Sequence, residues 1–168
     1  MDWSPAAAIA AALAFLAVFW LAYDAICRVF GQRQRGDLIV GIGVNADKRS
    51  LFSPEERGEL VERVTRPLGN VEVKAFSNLA VTFVRECGAR VMVRGVRPLT
   101  DLAGEFTMMM ANKHLDPAIE TVFLMADEEF AHVSSSLIKQ ITPLATDEML
   151  SRFVPAEIIP ALRAKLSN

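Results

Sequence analysis

Two arginines around a glycine are the residues of this chain best suited to chemistry. Arg94, Gly95 and Arg97 end a short apolar run of strand type, and the carboxylates Asp101 and Glu105 follow in a predicted helix. A guanidinium fork matches phosphate oxygens, and a glycine lets a ligand approach the backbone closely. In open α/β sheets, ligands bind at the carboxyl ends of strands. The pattern predicts an anion-binding crevice, and an ordinary strand end with solvated arginines is the alternative.

Two further segments offer groups that suit phosphate. Ser134, Ser135 and Ser136 begin a predicted helix, where free backbone N–H groups and the positive end of the helix dipole attract anions. A simple helix cap is the alternative for these serines. Lys48 follows the first clear strand in a polar loop, and a flexible ammonium there would stabilise charge on a transferring group. A surface lysine is the alternative for Lys48.

Composition limits the classes of protein to which the chain can belong. Its 168 residues predict one domain with a sizeable core, and the net charge of −2 argues against a nucleic-acid surface. The two cysteines, Cys27 and Cys87, form no metal-spaced cluster and fit a reduced compartment. With only two histidines, His114 and His132, we expect no His-based metal site.

Strand and helix patterns alternate along the chain from residue 37. Runs rich in valine and isoleucine predict strands over 38–44, 71–76, 90–93 and 121–125. Helices are predicted over 54–68, 79–87, 98–114, from 134 and over 155–166, the last with a kink at Pro160. A capping box begins the first of them at Ser53, and Met108 to Met110 are expected to fill the core. The alternation predicts an α/β fold with a doubly wound parallel sheet.

The first 36 residues differ in character from the rest. Residues 6–23 carry no charged side chain, so we expect an apolar helix, long enough to cross most of a membrane. Trp20 and Tyr23 stand at one end, as interface anchors do, and arginines follow on the side expected in the cytoplasm. The segment is also rich in alanine, which contributes little to insertion. We therefore divide the chain into an atypical segment, 1–36, and a domain, 37–168.

Several separated motifs of this domain resemble those of the bacterial phosphopantetheine adenylyltransferases. They occur in the family's order and spacing from about Asp37 to the C-terminus. The motifs are Asn45-Ala-Asp-Lys48, Leu51-Phe-Ser-Pro-Glu-Glu-Arg57, Arg94-Gly-Val-Arg97 with Asp101 and Glu105, Asn112-Lys-His-Leu115, Glu120-Thr-Val-Phe-Leu-Met125 and Val133-Ser-Ser-Ser-Leu-Ile-Lys139.

The resemblance implies a fold, a reaction and partners. The fold would be the Rossmann-like nucleotidylyltransferase fold. The reaction would transfer an adenylyl group from ATP to 4′-phosphopantetheine, giving dephospho-coenzyme A and pyrophosphate. Mg²⁺ would accompany ATP, the enzyme would be cytoplasmic, and the assembly would be a homohexamer.

The resemblance also implies roles for individual residues. Lys48 and Arg97 would be catalytic, with Lys48 touching both the pantetheine phosphate and the α-phosphate. Arg94 would bind the pantetheine phosphate, and the backbone of Ala80 the pantetheine arm. The residues that would contact ATP are Gly95, Val96, Arg97, Glu105, Phe130, Ala131, His132, Val133, Ser134, Ser135 and Ser136. No residue is expected to hold a resident metal.

The chain departs from the family at its N-terminus. The family's first strand and its Gly-[ST]-Phe-Asp-Pro…Asn-Gly-His loop, which contacts the ATP phosphates, have no match, although the histidine should fall near Asp24. A reading-frame error, a membrane anchor and a divergent strand are the three interpretations of residues 1–36. The alternative function is accordingly a catalytically impaired nucleotide-binding relative, either soluble or tethered to the inner membrane through residues 6–23.

Overall fold

Four strands alternate with helices in a computed structural model that describes residues 38–44, 50–97, 101–127 and 130–166. The strands are β1 (Leu38–Gly43), β2 (Val71–Phe76), β3 (Val91–Val96) and β4 (Glu120–Met125). The α-helices are α1 (Pro54–Thr65), α2 (Ala80–Glu86), α3 (Leu102–Leu115), α4 (Ser135–Ile141), α5 (Asp147–Leu150) and α6 (Ile159–Leu166). Short 3₁₀ turns, Arg66–Leu68 and Ala156–Ile158, follow α1 and precede α6.

The strands form two parallel pairs, and each pair consists of two strands that are consecutive in the chain. β1 pairs with β2 from Leu38 opposite Val71 to Gly43 opposite Phe76, and β3 pairs with β4 over their full lengths. A helix connects the strands of each pair, as parallel pairing requires. Over the described ranges the strands form two two-stranded sheets, β1–β2 and β3–β4. The α/β, Rossmann-like class predicted from the sequence is confirmed.

Local signals begin and end α1 where the sequence predicts. The Ser53 hydroxyl accepts a hydrogen bond from the Glu56 N–H, and the Glu56 carboxylate accepts one from the Ser53 N–H. This capping box satisfies N–H groups that the helix leaves free. The α-helix ends at Thr65, and a 3₁₀ turn carries the chain to Gly69, whose φ of 71° favours glycine.

The largest apolar cluster lies in the C-terminal part of the chain and packs against α1. Leu150 is fully buried there, with Val154 and Leu162 close to it. The cluster also includes Val64 of α1 and Val133, which precedes α4. Val133 is 2% exposed, so the segment that carries the predicted phosphate-binding serines is anchored in this core.

Two predictions about the helices are wrong. Pro160 is the second residue of α6 and causes no kink, because the first-turn N–H that proline lacks has no helical partner anyway. Met108 and Met110 are 54% and 56% exposed and do not fill the core. Consecutive helical residues point in different directions, so three methionines in a row cannot all face one core. The buried residue of α3 is Asn112.

The predictions about residues 1–36 lie outside the described residues. These are the apolar N-terminal helix, the domain boundary at residue 37 and the membrane anchor over residues 6–23. In the part of the chain that the structure describes, no helix is both long and apolar enough to cross a membrane.

An aromatic stack requires glycine at position 41 of β1. Phe76 of β2 and Phe83 of α2 stack with ring centroids 4.3 Å apart and an angle of 11° between planes. A Cβ atom added at Gly41 would lie 2.7 Å from a Phe83 ring carbon and 3.0 Å from one of Phe76. The two half-buried rings would have to shift and lose their stacking to admit the added atom.

We therefore expect Gly41→Ala to lower the free energy of unfolding by about 1–3 kcal/mol, the usual cost of overpacking. Urea denaturation followed by circular dichroism measures this free energy of unfolding. Gly58→Ala is the control, since a Cβ at Gly58 in α1 meets nothing within 4 Å. That substitution should stabilise the protein by up to ~1 kcal/mol, because alanine is the better helix former. Wild-type stability of Gly41→Ala would contradict the close packing.

Candidate active site

The carboxyl ends of β3 and β4 lie side by side and carry the predicted arginines. Val96, the last residue of β3, is fully buried opposite Met125, and its carbonyl accepts a hydrogen bond from the Ala126 N–H at 2.9 Å. Arg94 lies within β3, and Arg97 follows its end directly. The strand pairing thus fixes the backbone from which both guanidinium groups extend.

Arg94 is held by Glu105 of α3. Nε of Arg94 donates to Glu105 Oε2 at 2.8 Å, and Nη2 donates to Oε1 at 2.6 Å. The Arg94 side chain is 48% exposed and that of Glu105 is 21% exposed. The bidentate pair occupies one edge of the fork, and Nη1 donates to no acceptor among the described residues. With nearly half of the side chain exposed, the N–H groups on Nη1 are accessible to an anion.

Arg97 is held by Asp101 and by the backbone before α4. Nε and Nη2 of Arg97 donate to the two Asp101 oxygens at 2.7 and 2.6 Å, and Nη1 donates to the Val133 carbonyl at 3.3 Å. The hydrogen bond with Asp101 raises the pKa of Arg97 above its ordinary value. Arg97 therefore joins the end of β3 to the segment that carries the serines.

The two carboxylates share one face of the same helix. Asp101 and Glu105 are four residues apart, and the Glu105 N–H donates to the Asp101 carbonyl at 3.0 Å. The sequence motif alone gives Asp101 no role of its own. The spacing of Arg97 and Asp101, four residues apart, was the signal that could have identified the pair. The carboxylate of Glu105 contacts Arg94, and its predicted contact with adenosine stays a prediction.

The serine segment combines a cap with exposed hydroxyls. Ser134 caps α4, because its hydroxyl accepts a hydrogen bond from the Leu137 N–H at 3.1 Å. Ser135 and Ser136 are exposed in the first turn. Ser134 therefore caps the helix, the other two hydroxyls are accessible to a ligand, and the contact of all three serines with ATP stays a prediction.

The predicted adenosine wall precedes these serines. Phe130 is half-buried against the C-terminal core, and Ala131 is half-buried beside it. His132 is exposed and lies edge-on to Phe153, with ring centroids 5.9 Å apart. This contact gives His132 a packing partner, and its role as a wall of the adenosine site stays a prediction.

The structure does not bring every predicted residue to the arginines. Lys48 falls in 45–49, outside the described residues, so its predicted contacts stay a prediction. Ala80 is the half-buried first residue of α2, and Gly95 is half-buried between the two arginines. In the described ranges, no group of three or more His, Cys, Asp or Glu residues is placed to hold a metal ion.

Comparison with known proteins identifies the family. Residues 24–141 match the cytidylyltransferase-like family, a match that begins upstream of Asp37. The chain is 68% identical over 131 residues to the phosphopantetheine adenylyltransferase of Rhodopirellula baltica, covering 77% of this chain and 73% of that protein. It is 40% identical over 131 residues to the enzyme of the same name from Clostridium botulinum strain Hall, covering 78% and 79%. Matches of this extent show that the chain belongs to the cytidylyltransferase-like family and, within it, to the phosphopantetheine adenylyltransferases.

Proposed function

We propose that this chain transfers the adenylyl group of ATP to 4′-phosphopantetheine, giving dephospho-coenzyme A and pyrophosphate. The observation that carries the proposal is the pair of guanidinium groups at the end of β3, each held by a carboxylate of α3. Two phosphate-bearing substrates must meet in this reaction, and Arg94 and Arg97 supply one pre-oriented cation for each. The names of the relatives support the same reaction.

The reaction requires that the two substrates be positioned and that the charge on the transferring group be stabilised. It requires no covalent enzyme intermediate. A phosphate oxygen of 4′-phosphopantetheine attacks the α-phosphorus of ATP, the bond between the α- and β-phosphates breaks, and pyrophosphate leaves. Phosphoryl transfer of this kind is accelerated mainly by holding the reactants in line and by stabilising the charge on the transferring oxygens. Side chains with fixed positive charge are therefore the groups that matter.

In this proposal Arg94 binds the phosphate of 4′-phosphopantetheine. Glu105 already occupies the Nε and Nη2 edge of Arg94. The incoming phosphate dianion either binds at Nη1 or displaces Glu105, and displacement would free that carboxylate for the adenosine. Ala80 contacts the pantetheine arm through its backbone, and Lys48 neutralises charge on the α-phosphate.

ATP lies between Arg97 and the serine segment in the same proposal. The backbone at Gly95 and Val96 approaches the nucleotide, and Arg97 binds its phosphates together with Ser134 to Ser136. The wall for the adenosine consists of Phe130, Ala131, His132 and Val133. The hydrogen bond from Arg97 to the Val133 carbonyl supports this arrangement, because it links the two phosphate-binding segments directly.

We include Mg²⁺ in the proposal as part of the substrate MgATP. The carboxylates nearest the arginines, Asp101 and Glu105, are engaged in ion pairs. Mg²⁺ is commonly bound by substrate phosphates and water with few protein ligands, which fits such a site. The substrates are cytoplasmic metabolites, so we expect the chain in the cytoplasm.

The reaction is tested by measuring pyrophosphate release beside an ATP titration of the full chain. We expect pyrophosphate release that depends on both ATP and 4′-phosphopantetheine. The reason is that Arg97 is proposed to bind the phosphates of ATP and Arg94 the phosphate of 4′-phosphopantetheine. ATP binding without release would indicate a nucleotide-binding relative that has lost catalysis. Absence of both binding and release would contradict the proposal altogether.

The assignment of Arg94 is tested by Arg94→Lys. One ammonium cannot reproduce a bidentate fork, so 4′-phosphopantetheine affinity should fall about tenfold or more, the value of a charged hydrogen bond. ATP affinity should change much less. Arg90→Lys is the control, since Arg90 is an exposed arginine just before β3. Equal losses for the two substrates in Arg94→Lys, or no loss for either, would refute the assignment.

We also propose that the chain assembles as a homo-oligomer, and specifically as the homohexamer that the family resemblance implies. The support is α3, a 14-residue helix that exposes large apolar side chains. Phe106 is 53% exposed and Met110 is 56% exposed, one turn apart on the helix. Apolar surface of this kind is typical of a protein–protein interface.

Replacing Phe106 and Met110 together by Glu should shift the assembly to smaller species, because the charges would be buried at the interface. Multi-angle light scattering at micromolar concentration measures the mass. Leu144→Glu is the control, because Leu144 is 89% exposed and lies away from α3 in the chain. A wild-type chain of monomeric mass would contradict the proposal.

A further inference from the structure

Asp101 stands where an aspartate usually caps a helix, but its carboxylate is used differently. It is the N-cap residue of α3 and makes no side-chain cap hydrogen bond to that helix. Its two oxygens accept from Nε and Nη2 of Arg97, and Oδ2 also lies 3.4 Å from the Arg97 backbone nitrogen. The carboxylate is therefore committed to the arginine and not to the helix.

Arg97 is held from two sides. Asp101 fixes one edge of the guanidinium, and the Val133 carbonyl accepts from Nη1 on the other. Val133 belongs to the C-terminal core and is 2% exposed, so this acceptor cannot move freely. A long side chain that would otherwise sample many rotamers is thus confined to one direction.

The confined guanidinium keeps donors for a ligand. Arginine has five N–H groups, and Asp101 and Val133 use three of those of Arg97. Among the described residues, one N–H on Nη1 and one on Nη2 have no acceptor and can reach phosphate oxygens. Arg97, paired with Asp101, is also less exposed to solvent than Arg94, paired with Glu105. The Arg97 side chain is 30% exposed, and the Arg94 side chain is 48% exposed.

We propose that Asp101 is a positioning residue, which orients Arg97 toward the phosphates of ATP without touching the nucleotide. The inference rests on the proposed adenylyl transfer, in which Arg97 binds those phosphates. It assigns Asp101 a specific effect on ATP that an ordinary helix cap would not have.

The test compares Asp101→Asn with wild type in the full chain. Asparagine has the same shape but lacks the charge and one acceptor oxygen, so Arg97 should lose its orientation. We expect the Kd of ATP, measured by calorimetry, and the KM for ATP to rise about tenfold or more, since small displacements of a positioned group are costly. The KM for 4′-phosphopantetheine should stay within about twofold of wild type, because Asp101 does not position Arg94, which is proposed to bind that substrate.

The matched control is Asp116→Asn. Asp116 also accepts from the Nε and Nη2 of an arginine, Arg85, although on a single oxygen, Oδ2, and this pair joins α2 to the end of α3. Arg85 lowers the pKa of Asp116, so this ion pair should also contribute to stability. We expect Asp116→Asn to lower the melting temperature and to leave ATP affinity unchanged.

A double-mutant cycle separates positioning from general stability. If Asp101 acts through Arg97, Asp101→Asn in an Arg97→Gln background should change ATP affinity by less than about twofold, because coupled residues are not additive. Asp101→Glu, which keeps the carboxylate, should recover part of the affinity. A full loss in the Arg97→Gln background, or wild-type ATP affinity in Asp101→Asn, would overturn the inference.

The same measurements distinguish this inference from the proposed reaction. A wild-type chain that binds ATP and releases no pyrophosphate would refute adenylyl transfer, and the calorimetric comparison of Asp101→Asn would still decide the role of Asp101. A wild-type chain that binds no ATP would overturn both.

Discussion

The candidate site depends on the neutralisation of two neighbouring arginines by two carboxylates of one helix. Arg94 and Arg97 are long side chains at one strand end, and without partners they would sample many rotamers in solvent. Asp101 and Glu105 balance the two charges and fix both forks, because each pair is bidentate. A phosphate ligand then meets cations that are already oriented, so little of its binding energy is needed to order them.

This arrangement is maintained by packing at some distance from it. The parallel pairing of β3 with β4 sets the backbone of the arginines. The apolar cluster around Leu150 and Leu162 includes Val133, and the Val133 carbonyl is an acceptor for Arg97. Loosening that cluster would therefore move a phosphate-binding residue, although the cluster contains none of the residues proposed to contact the pantetheine or the α-phosphate.

The helix α3 is proposed both to hold the arginines and to take part in assembly. Its carboxylates face the arginines, while Phe106, Met108 and Met110 are more than half exposed. A subunit packed on that apolar surface would also restrict the helix that holds the arginines. Assembly and the geometry of the site would then depend on the same helix and its N-cap residue, Asp101.

Sequence alone determined the features that are local in the chain. The capping box of Ser53 and Glu56 spans three residues, and the alternation of strand and helix predicts parallel pairing, so both could be inferred without coordinates. The motif from Arg94 to Arg97 also identified the segment in which the site lies. These signals depend on spacing along one chain, which the sequence states directly.

Only the tertiary structure decided which groups from distant parts of the sequence come into contact. Glu105 binds Arg94 from 11 positions away, and the Val133 carbonyl binds Arg97 from 36 positions away. Likewise, the exposure of Met108 and Met110 could not be derived from their hydrophobicity. The physical reason is that partner choice and burial depend on how separate elements pack, and no local preference of a residue records which distant surface it will face.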